Sequence, residues 1–401
     1  MGINNKKILS VALSVIMATI PMVSAQTNKF KVNNNSKKSS FGQKVKKVVT
    51  HPGFYIPTAA VGLTVGLGVT YLTSVLIHNI KKYSVPPEEP STNEAGLKDD
   101  KDIIRGEEDG RVIVRAGYNS LDESGKIVYN LILKKCQDLD FEFIRSTGNY
   151  SQIEIITKES ELPGCNLPYN KDINVNRVKW KFLGNILDAI HYDNPEMFWI
   201  TRADSICRDP YNEEIKICFY VYFGSKEDII KGREEFERKV VDILSKIPMS
   251  ATDYEKELFI HDYICKNCKY SYDGYNTSYD CLCINRTRCF GISEAYQVLM
   301  NRAGFDCRII FGAVNNEFNS DSPTSSNHVW NIVKINGNWR HIDVTWDLPF
   351  WIQNVMVNGK FYYFVNLTTE EIQKNHRIVR PCERNDYENS RLPKEVSDKI
   401  K

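Results

Sequence analysis

Apolar positions recur every four residues at Val178, Phe182, Ile186 and Ile190, which predicts a helix. Ile215, Ile217, Phe219, Val221 and Phe223 alternate with their neighbours and predict a strand. Ser225, with Asp228 three residues on, reads as the cap of a helix reaching Ile247. Its core stripe is Ile229, Phe236, Val240, Ile243 and Ile247, and Pro248 stops it. Thr252, with Glu255 three residues on, predicts a further helix to about Lys266. A helix is also expected from Ser124 to about Leu139, and strands over Gln152–Thr157 and Phe305–Val314.

The most informative pattern follows. Ile292, Ala295, Tyr296, Leu299 and Ala303 are spaced as one helix face, and Gly304 is a natural stop. Cys289 then lies at the start of that helix, where unpaired N–H groups and the positive end of the dipole favour the nucleophilic thiolate. His328–Ile335 reads as a half-buried strand, with His328, Trp330 and Ile332 on one face and Val329, Asn331 and Val333 on the other. Asn336-Gly337 predicts a two-residue type I′ hairpin. In that register Ile335 pairs with Asn338, Trp330 faces Asp343 and His328 faces Thr345. His328 and Asp343 become diagonal neighbours, about 7–8 Å apart at the backbone, within reach of an imidazole–carboxylate contact. His341 shares the face of Asp343 and is a rival base. A lone strand histidine is more often packing, and a base must reach the nucleophile as well as its orienter.

A helix-start Cys289, the strand His328-Val329-Trp330-Asn331 and the strand Trp339-Arg340-His341-Ile342-Asp343-Val344-Thr345-Trp346-Asp347 together resemble the transglutaminase-like superfamily of papain-related enzymes. The resemblance covers roughly residues 253–375, including Ile260-His261-Asp262-Tyr263 and Tyr362-Tyr363-Phe364. It implies Cys289 as nucleophile, His328 as base and Asp343 as orienter. It also implies an α+β fold, a catalytic helix packed on an antiparallel sheet, preceded by an α/β amino-terminal region. His261 is read as structural. Where many bacterial members carry Glu or Gln after the cysteine, this chain has Phe290, which leaves the three groups intact and alters the pocket beside them.

The remaining features set the context. Residues 1–25 read as a secretory signal, with Lys6 and Lys7 before an apolar core and Val23-Ser24-Ala25 at its end. Residues 26–83 hold a segment with seven lysines between Lys29 and Lys47, then an uncharged apolar run, Tyr55–Ile77, long enough for a transmembrane helix. Residues 84–110 form a Pro-rich, acidic linker. The amino-terminal α/β region occupies 111–250, the catalytic domain 251–385, and 386–401 form a polar tail. The lysine excess ahead of the apolar run argues for an exported, membrane-anchored catalytic domain, whereas a cleaved signal followed by a spanning helix argues for the opposite orientation.

Net charge is +2, which gives no case for nucleic acid. No phosphate-cradling Gly-rich loop, His-Glu-x-x-His or Gly-x-Ser-x-Gly occurs, and no cofactor is expected. Eleven cysteines leave ten beside Cys289, enough for five disulfides in an oxidising compartment. Cys265, Cys268, Cys281 and Cys283 are an alternative zinc set of unusual spacing. The tyrosines of the loop Tyr270–Cys283 are candidate substrate contacts, and Asn315–Asn327 reads as a polar loop over the cleft. Phe198, Trp199, Tyr220 and Tyr222 read as core. The expected function is thiol-dependent acyl transfer on amide bonds of proteins or peptides, in or near the cell envelope, as a peptidase, amidase or transglutaminase. The alternative is a membrane-tethered, non-catalytic binding or scaffolding module.

Overall fold

The computed structural model describes residues 89, 102–106, 110–146, 151–163, 181–208, 214–314, 328–348, 362–378 and 392–400. The expected signal, basic segment and membrane helix, and the loop 315–327, lie outside them. Among the described residues no helix is long and apolar enough to cross a membrane.

A ribbon of β1 (Ile103–Arg105) and β2 (Val112–Val114) leads into α1 (Ala116–Asn119) and α2 (Glu123–Gln137). An antiparallel sheet follows, built from β3 (Glu142–Ser146), β4 (Ser151–Lys158), β5 (Ile200–Arg208) and β6 (Glu214–Val221), in the order β3-β4-β6-β5. Two helices accompany it, α3 (Lys181–Asp193) and α4 (Lys226–Leu244). Ile153, Ile155, Ile215, Ile217, Phe219 and Val221 fill one sheet face, where alternation puts them, and Ile229, Phe236, Val240 and Ile243 of α4 join the same core. Phe198 and Trp199 are buried there as expected, but Tyr220 is exposed, because even positions of β6 point to the opposite face.

The carboxy-terminal half begins with α5 (Asp253–Asn267). Thr252 and Glu255 form a reciprocal capping box, with Glu255 N–H donating to Thr252 Oγ1 at 3.2 Å and Thr252 N–H to Glu255 Oε2 at 2.7 Å. Thr252→Ala is expected to cost ~1 kcal/mol, read as a lower urea midpoint with an unchanged slope. The stretch expected as loop is more ordered than its composition suggests. A π-helical turn, Asp280–Ile284, overlaps its end, and it is flanked by β7 (Lys269–Tyr270) and β8 (Arg286–Thr287), which pair in parallel. Then come α6 (Cys289–Arg302), β9 (Cys307–Val314), β10 (His328–Ile335), β11 (Asn338–Ile342), α7 (Thr369–Ile372), β12 (His376–Ile378) and α8 (Lys394–Ser397). The second antiparallel sheet has the order β11-β10-β9-β12.

The hairpin register is the expected one, from Ile335↔Asn338 to Asn331↔Ile342, with Asn336 and Gly337 at φ 49° and 75° as a type I′ turn demands. Two expectations are corrected. The paired ladder stops at Ile342, because the backbone N–H of Asp343 donates instead to Phe364 O at 2.9 Å and the chain turns away before Thr345. Strand β10 is buried on both faces rather than one. On one side Val333 and Ile335 meet Ile292, Ala295, Tyr296 and Leu299 of α6 in the main core. On the other, Trp330 and Ile332 pack with Ile310, Phe364, Ile372, Ile378, Leu392 and Val396. Leu392 and Val396 thus tie residues near the carboxy terminus to the sheet. The main core also runs unbroken from Val128 to Val365, so the regions on either side of residue 250 share one interior.

The eight cysteines whose side chains are described, Cys136, Cys218, Cys265, Cys268, Cys281, Cys283, Cys289 and Cys307, are free thiols, which removes the expected set of five disulfides. Nor do Cys265, Cys268, Cys281 and Cys283 gather as a zinc set among the described residues. Cys265 instead engages His261 Nε2 at 3.6 Å, and Cys283 is half-buried beside Glu235, packed against the main core.

Candidate active site

Cys289 is the first residue of α6. Arg288 precedes it in extended backbone (φ −99°, ψ −177°) and offers no side-chain cap. The first-turn N–H groups are therefore not satisfied by a capping side chain at Arg288, and no acidic residue sits in that turn. One of them is taken by Asn276, whose Oδ1 accepts from Gly291 N–H at 3.1 Å. Cys289 itself is half-buried.

Helix α6 is fastened to the strand that carries His328 by two buried hydrogen bonds. Ser293 Oγ donates to Val329 O at 3.1 Å, and Asn331 Nδ2 donates to Ser293 O at 3.0 Å. Asn331 thus has a role that its place in the His-x-Trp-Asn pattern does not reveal: it sets the distance between helix start and strand start. His328 is buried, and its Nε2 donates to Asp343 Oδ2 at 2.6 Å. With Nε2 committed, Nδ1 is the atom left for Cys289, which contributes a side-chain hydrogen bond to His328. Burial opposes a charge on the ring, but the Asp343 carboxylate and then Cys289 outweigh it and raise His328 to about 10. Burial likewise opposes ionisation of Asp343, and its histidine partners hold the carboxyl well below the usual range.

His376, on β12, is the residue that the sequence did not point to. Its Nε2 donates to the same Asp343 Oδ2 at 2.9 Å. Asp343 Oδ1 accepts from Trp346 N–H at 3.2 Å, so the fully buried carboxylate receives three donors. His328, Asp343 and His376 are also the one group among the described residues whose atoms come within reach of a single metal ion. Each of those atoms is also engaged in a short hydrogen bond within the cluster.

His341 is excluded as the base by its own partners. Trp330 Nε1 donates to His341 Nδ1 at 3.1 Å, which leaves Nε2–H to donate to Thr369 Oγ1 at 3.1 Å. Burial, helped by His376, lowers it to about 3, so the ring stays neutral. Trp330 also stacks on His328, with centroids 5.9 Å apart and planes 20° apart, and Trp346 meets His328 edge-on at 6.2 Å. His261, read as structural from the sequence, makes its hydrogen bonds among the described residues to Asp262, Asp347 and Cys265 rather than to Cys289, His328 or Asp343. It is fully buried between Asp262 at 3.2 Å and Asp347 at 3.3 Å, while Asp347 Oδ1 accepts from Tyr363 N–H at 3.0 Å and so ties two segments together.

Phe290 turns the amino-terminal region towards the site. Its ring stacks on His191 of α3 (centroids 5.4 Å, planes 3° apart), and Tyr192 and Phe311 complete an aromatic group beside Cys289. His191 Nε2 reaches Glu294 Oε1 at 3.2 Å, and Glu294 Oε2 accepts from Ser278 N–H at 3.0 Å. Burial raises the Glu294 carboxyl, against the pull of His191. The residue after Cys289 therefore joins an aromatic group, where Glu or Gln would place a polar side chain.

Residues 244–344 match the model of the transglutaminase-like superfamily, and the span contains Cys289, His328 and Asp343. The chain carries a transglutaminase-like domain there, with the mixed helix and antiparallel-sheet architecture described above. A search of curated proteins found no match. Among solved structures, a protein from Cytophaga hutchinsonii provisionally assigned as a cysteine protease is 18% identical. The match covers 34% of this chain and 53% of that one, with a TM-score of 0.23. A structure described as a TGase is 11% identical, covering 36% of this chain and 44% of that one, with a TM-score of 0.24. A protein from Parabacteroides distasonis provisionally assigned as a protease is 10% identical, covering 35% of each chain, with a TM-score of 0.20. The match spans about half the length of the first of these proteins.

Proposed function

We propose that this protein is a thiol-dependent acyl-transfer enzyme acting on amide bonds of proteins or peptides. The observation that carries the reading is the 2.6 Å contact of His328 Nε2 with Asp343 Oδ2, made by a histidine that also bonds the helix-start Cys289. Cys289 as thiolate attacks the carbonyl carbon, and its own backbone N–H is one donor to the oxyanion. His328 as imidazolium passes its Nδ1 proton to the leaving amine, and a thioester remains. Asp343 keeps the ring oriented and favours its charged form. Water or an amine then attacks the thioester, giving up its proton to His328 and restoring the thiolate. Water makes the enzyme a peptidase or amidase, and an amine makes it a transglutaminase. The aromatic group around Phe290 favours an apolar side chain next to the attacked carbonyl. The exported, membrane-anchored location read from residues 1–83 would place the substrates in or near the cell envelope.

Iodoacetamide labelling of the full-length chain across pH, mapped by mass spectrometry, tests the reading. Cys289 is expected to alkylate at pH 6 at least tenfold faster than the other cysteines, and His328→Ala to abolish the difference, about the scale of one lost charge-assisted contact. The other thiols are a built-in control, since burial raises both Cys136 and Cys283 to about 12. A Cys289 no faster than these would leave a binding module of the same fold as the better account.

A further inference from the structure

We propose that His376 is a positioning residue: an uncharged imidazole whose Nε2–H holds the Asp343 carboxylate in the orientation from which it grips His328. The proposal deepens the function above and rests on His328 and Asp343 acting together there. Residue 376 lies beyond the matched span, on a three-residue strand that reaches the site from the far edge of the sheet.

The geometry separates this role from ordinary packing. Two imidazole N–H groups converge on one carboxylate oxygen, at 2.6 Å from His328 and 2.9 Å from His376. One of the two must be the proton carrier of the reaction. The other meets the His328 ring, with centroids 5.6 Å apart, but its Nε2–H is spent on Asp343 and its remaining atoms are enclosed. Trp330, Trp346 and Phe364 meet the His376 ring edge-on, with centroids at 4.9, 5.7 and 5.3 Å. Its Nδ1 is buried with no hydrogen-bond partner among the described residues.

That orphan nitrogen decides the protonation state. A lone pair in an aromatic box costs less than an N–H there, because a protonated ring would carry a buried, unsatisfied donor and a buried charge. His376 therefore stays neutral with its proton on Nε2. Burial lowers it, against the pull of Asp343. A neutral donor strengthens the carboxylate's hold on its charge without competing with His328 for it. The titratable groups around this centre are Cys289 from α6, His328 from β10, His341 from β11, and Asp343 and Asp347 from the turn after it. Of these, His341 is neutral and Asp347 is engaged by His261.

The test uses full-length wild type, His376→Ala and His376→Gln. Glutamine places an amide N–H close to where Nε2–H lies, so it separates the donor from the ring. The first readout is the titration of His328 by nitrogen NMR of labelled histidines, and the second is the pH profile of Cys289 alkylation. In His376→Ala the His328 midpoint is expected to fall by about one pH unit, the scale of a single hydrogen bond to a charged group, and Gln is expected to restore most of it. An unchanged midpoint in a folded His376→Ala protein overturns the proposal, as does an equal fall in both variants, which would make the ring's volume the cause. Should the alanine variant fail to fold, the wild-type spectrum decides: a His376 signal protonated at Nδ1 at neutral pH overturns the proposal, and a neutral ring with its proton on Nε2 supports it together with the Gln result. A His328 midpoint that follows residue 376 while Cys289 stays unreactive keeps the positioning role and removes the acyl-transfer reading. A histidine spectrum that changes on adding a chelator makes the cluster an ion site and overturns the proposal.

Discussion

Asp343→Ala is expected to lower acyl turnover by about 10⁴-fold, the scale of removing the carboxylate of a Ser-His-Asp triad. Asp343 is fully buried and accepts from His328, His376 and the Trp346 backbone. Alanine takes away the acceptor and leaves two imidazole N–H groups facing an apolar void. Each orphaned donor costs about 1–3 kcal/mol, so a stability loss is expected beside the loss of rate. His328 would then find a new partner or deprotonate, and the imidazolium that protonates the leaving amine would be lost from the neutral pH range. Asp343→Asn is the informative comparison. With its amide oxygen in the place of Oδ2 it still accepts both imidazole N–H groups, while its NH₂ opposes the Trp346 N–H, so it is expected to retain about tenfold more activity than alanine. The rate of Cys289 alkylation at pH 6, with urea unfolding on the same samples, checks both. An Asp343→Ala protein that folds and alkylates like wild type would remove Asp343 from the mechanism.

The second large effect is expected at Gly312, a position with no chemistry of its own. It lies on β9, paired with His328 on one side and Ile378 on the other. A Cβ built there falls far inside contact distance of the Arg377 carbonyl oxygen and of the Trp330 indole. The carbonyl is backbone held in the β9–β12 ladder, and the indole is among the largest fully buried side chains, so neither yields cheaply. Gly312→Ala is expected to destabilise the fold by about 1–3 kcal/mol, as overpacking does. It is also expected to slow Cys289 alkylation, because Trp330 stacks on His328 and borders His376. Gly224→Ala is the control. The nearest atom to its added Cβ is Asp228 Oδ2 at 4.0 Å, and its expected effect is within ±0.5 kcal/mol. Equal urea midpoints for the two variants would show that the close approach at Gly312 is relaxed in solution.

Those two positions mark how far sequence reading reaches. Local chemistry was legible wherever it is written in neighbouring residues. Helix α6 followed from its apolar spacing and from Gly304, which sits at φ +96° as a helix-ending glycine does. The capping box at Thr252 and Glu255 followed from two residues three apart. The β10–β11 register followed from Asn336-Gly337, and with it came His328 and Asp343 at the same end of the sheet.

What escaped the sequence depends on contacts between distant segments. No period in the chain announces that β12, three residues long, reaches Asp343 with an imidazole, or that Asn276 holds the first turn of α6 across a left-handed residue at φ 65°. The extent of the hairpin also lay beyond local rules: the ladder ends at Ile342 because Phe364 offers Asp343 N–H a better acceptor. Burial on both faces of β10 required knowing that Leu392 and Val396 return to cover it. The sequence by itself determined several of the elements, α5, α6 and the β10–β11 hairpin register among them, and the identity of three candidate groups, because spacing and turn chemistry act over a few residues. Only the tertiary structure decided which nitrogen of His328 faces Asp343, that His341 is neutral, that His376 shares the carboxylate and that Phe290 leans on His191. Those are matters of desolvation and close approach between residues far apart in the chain, and no local pattern records them.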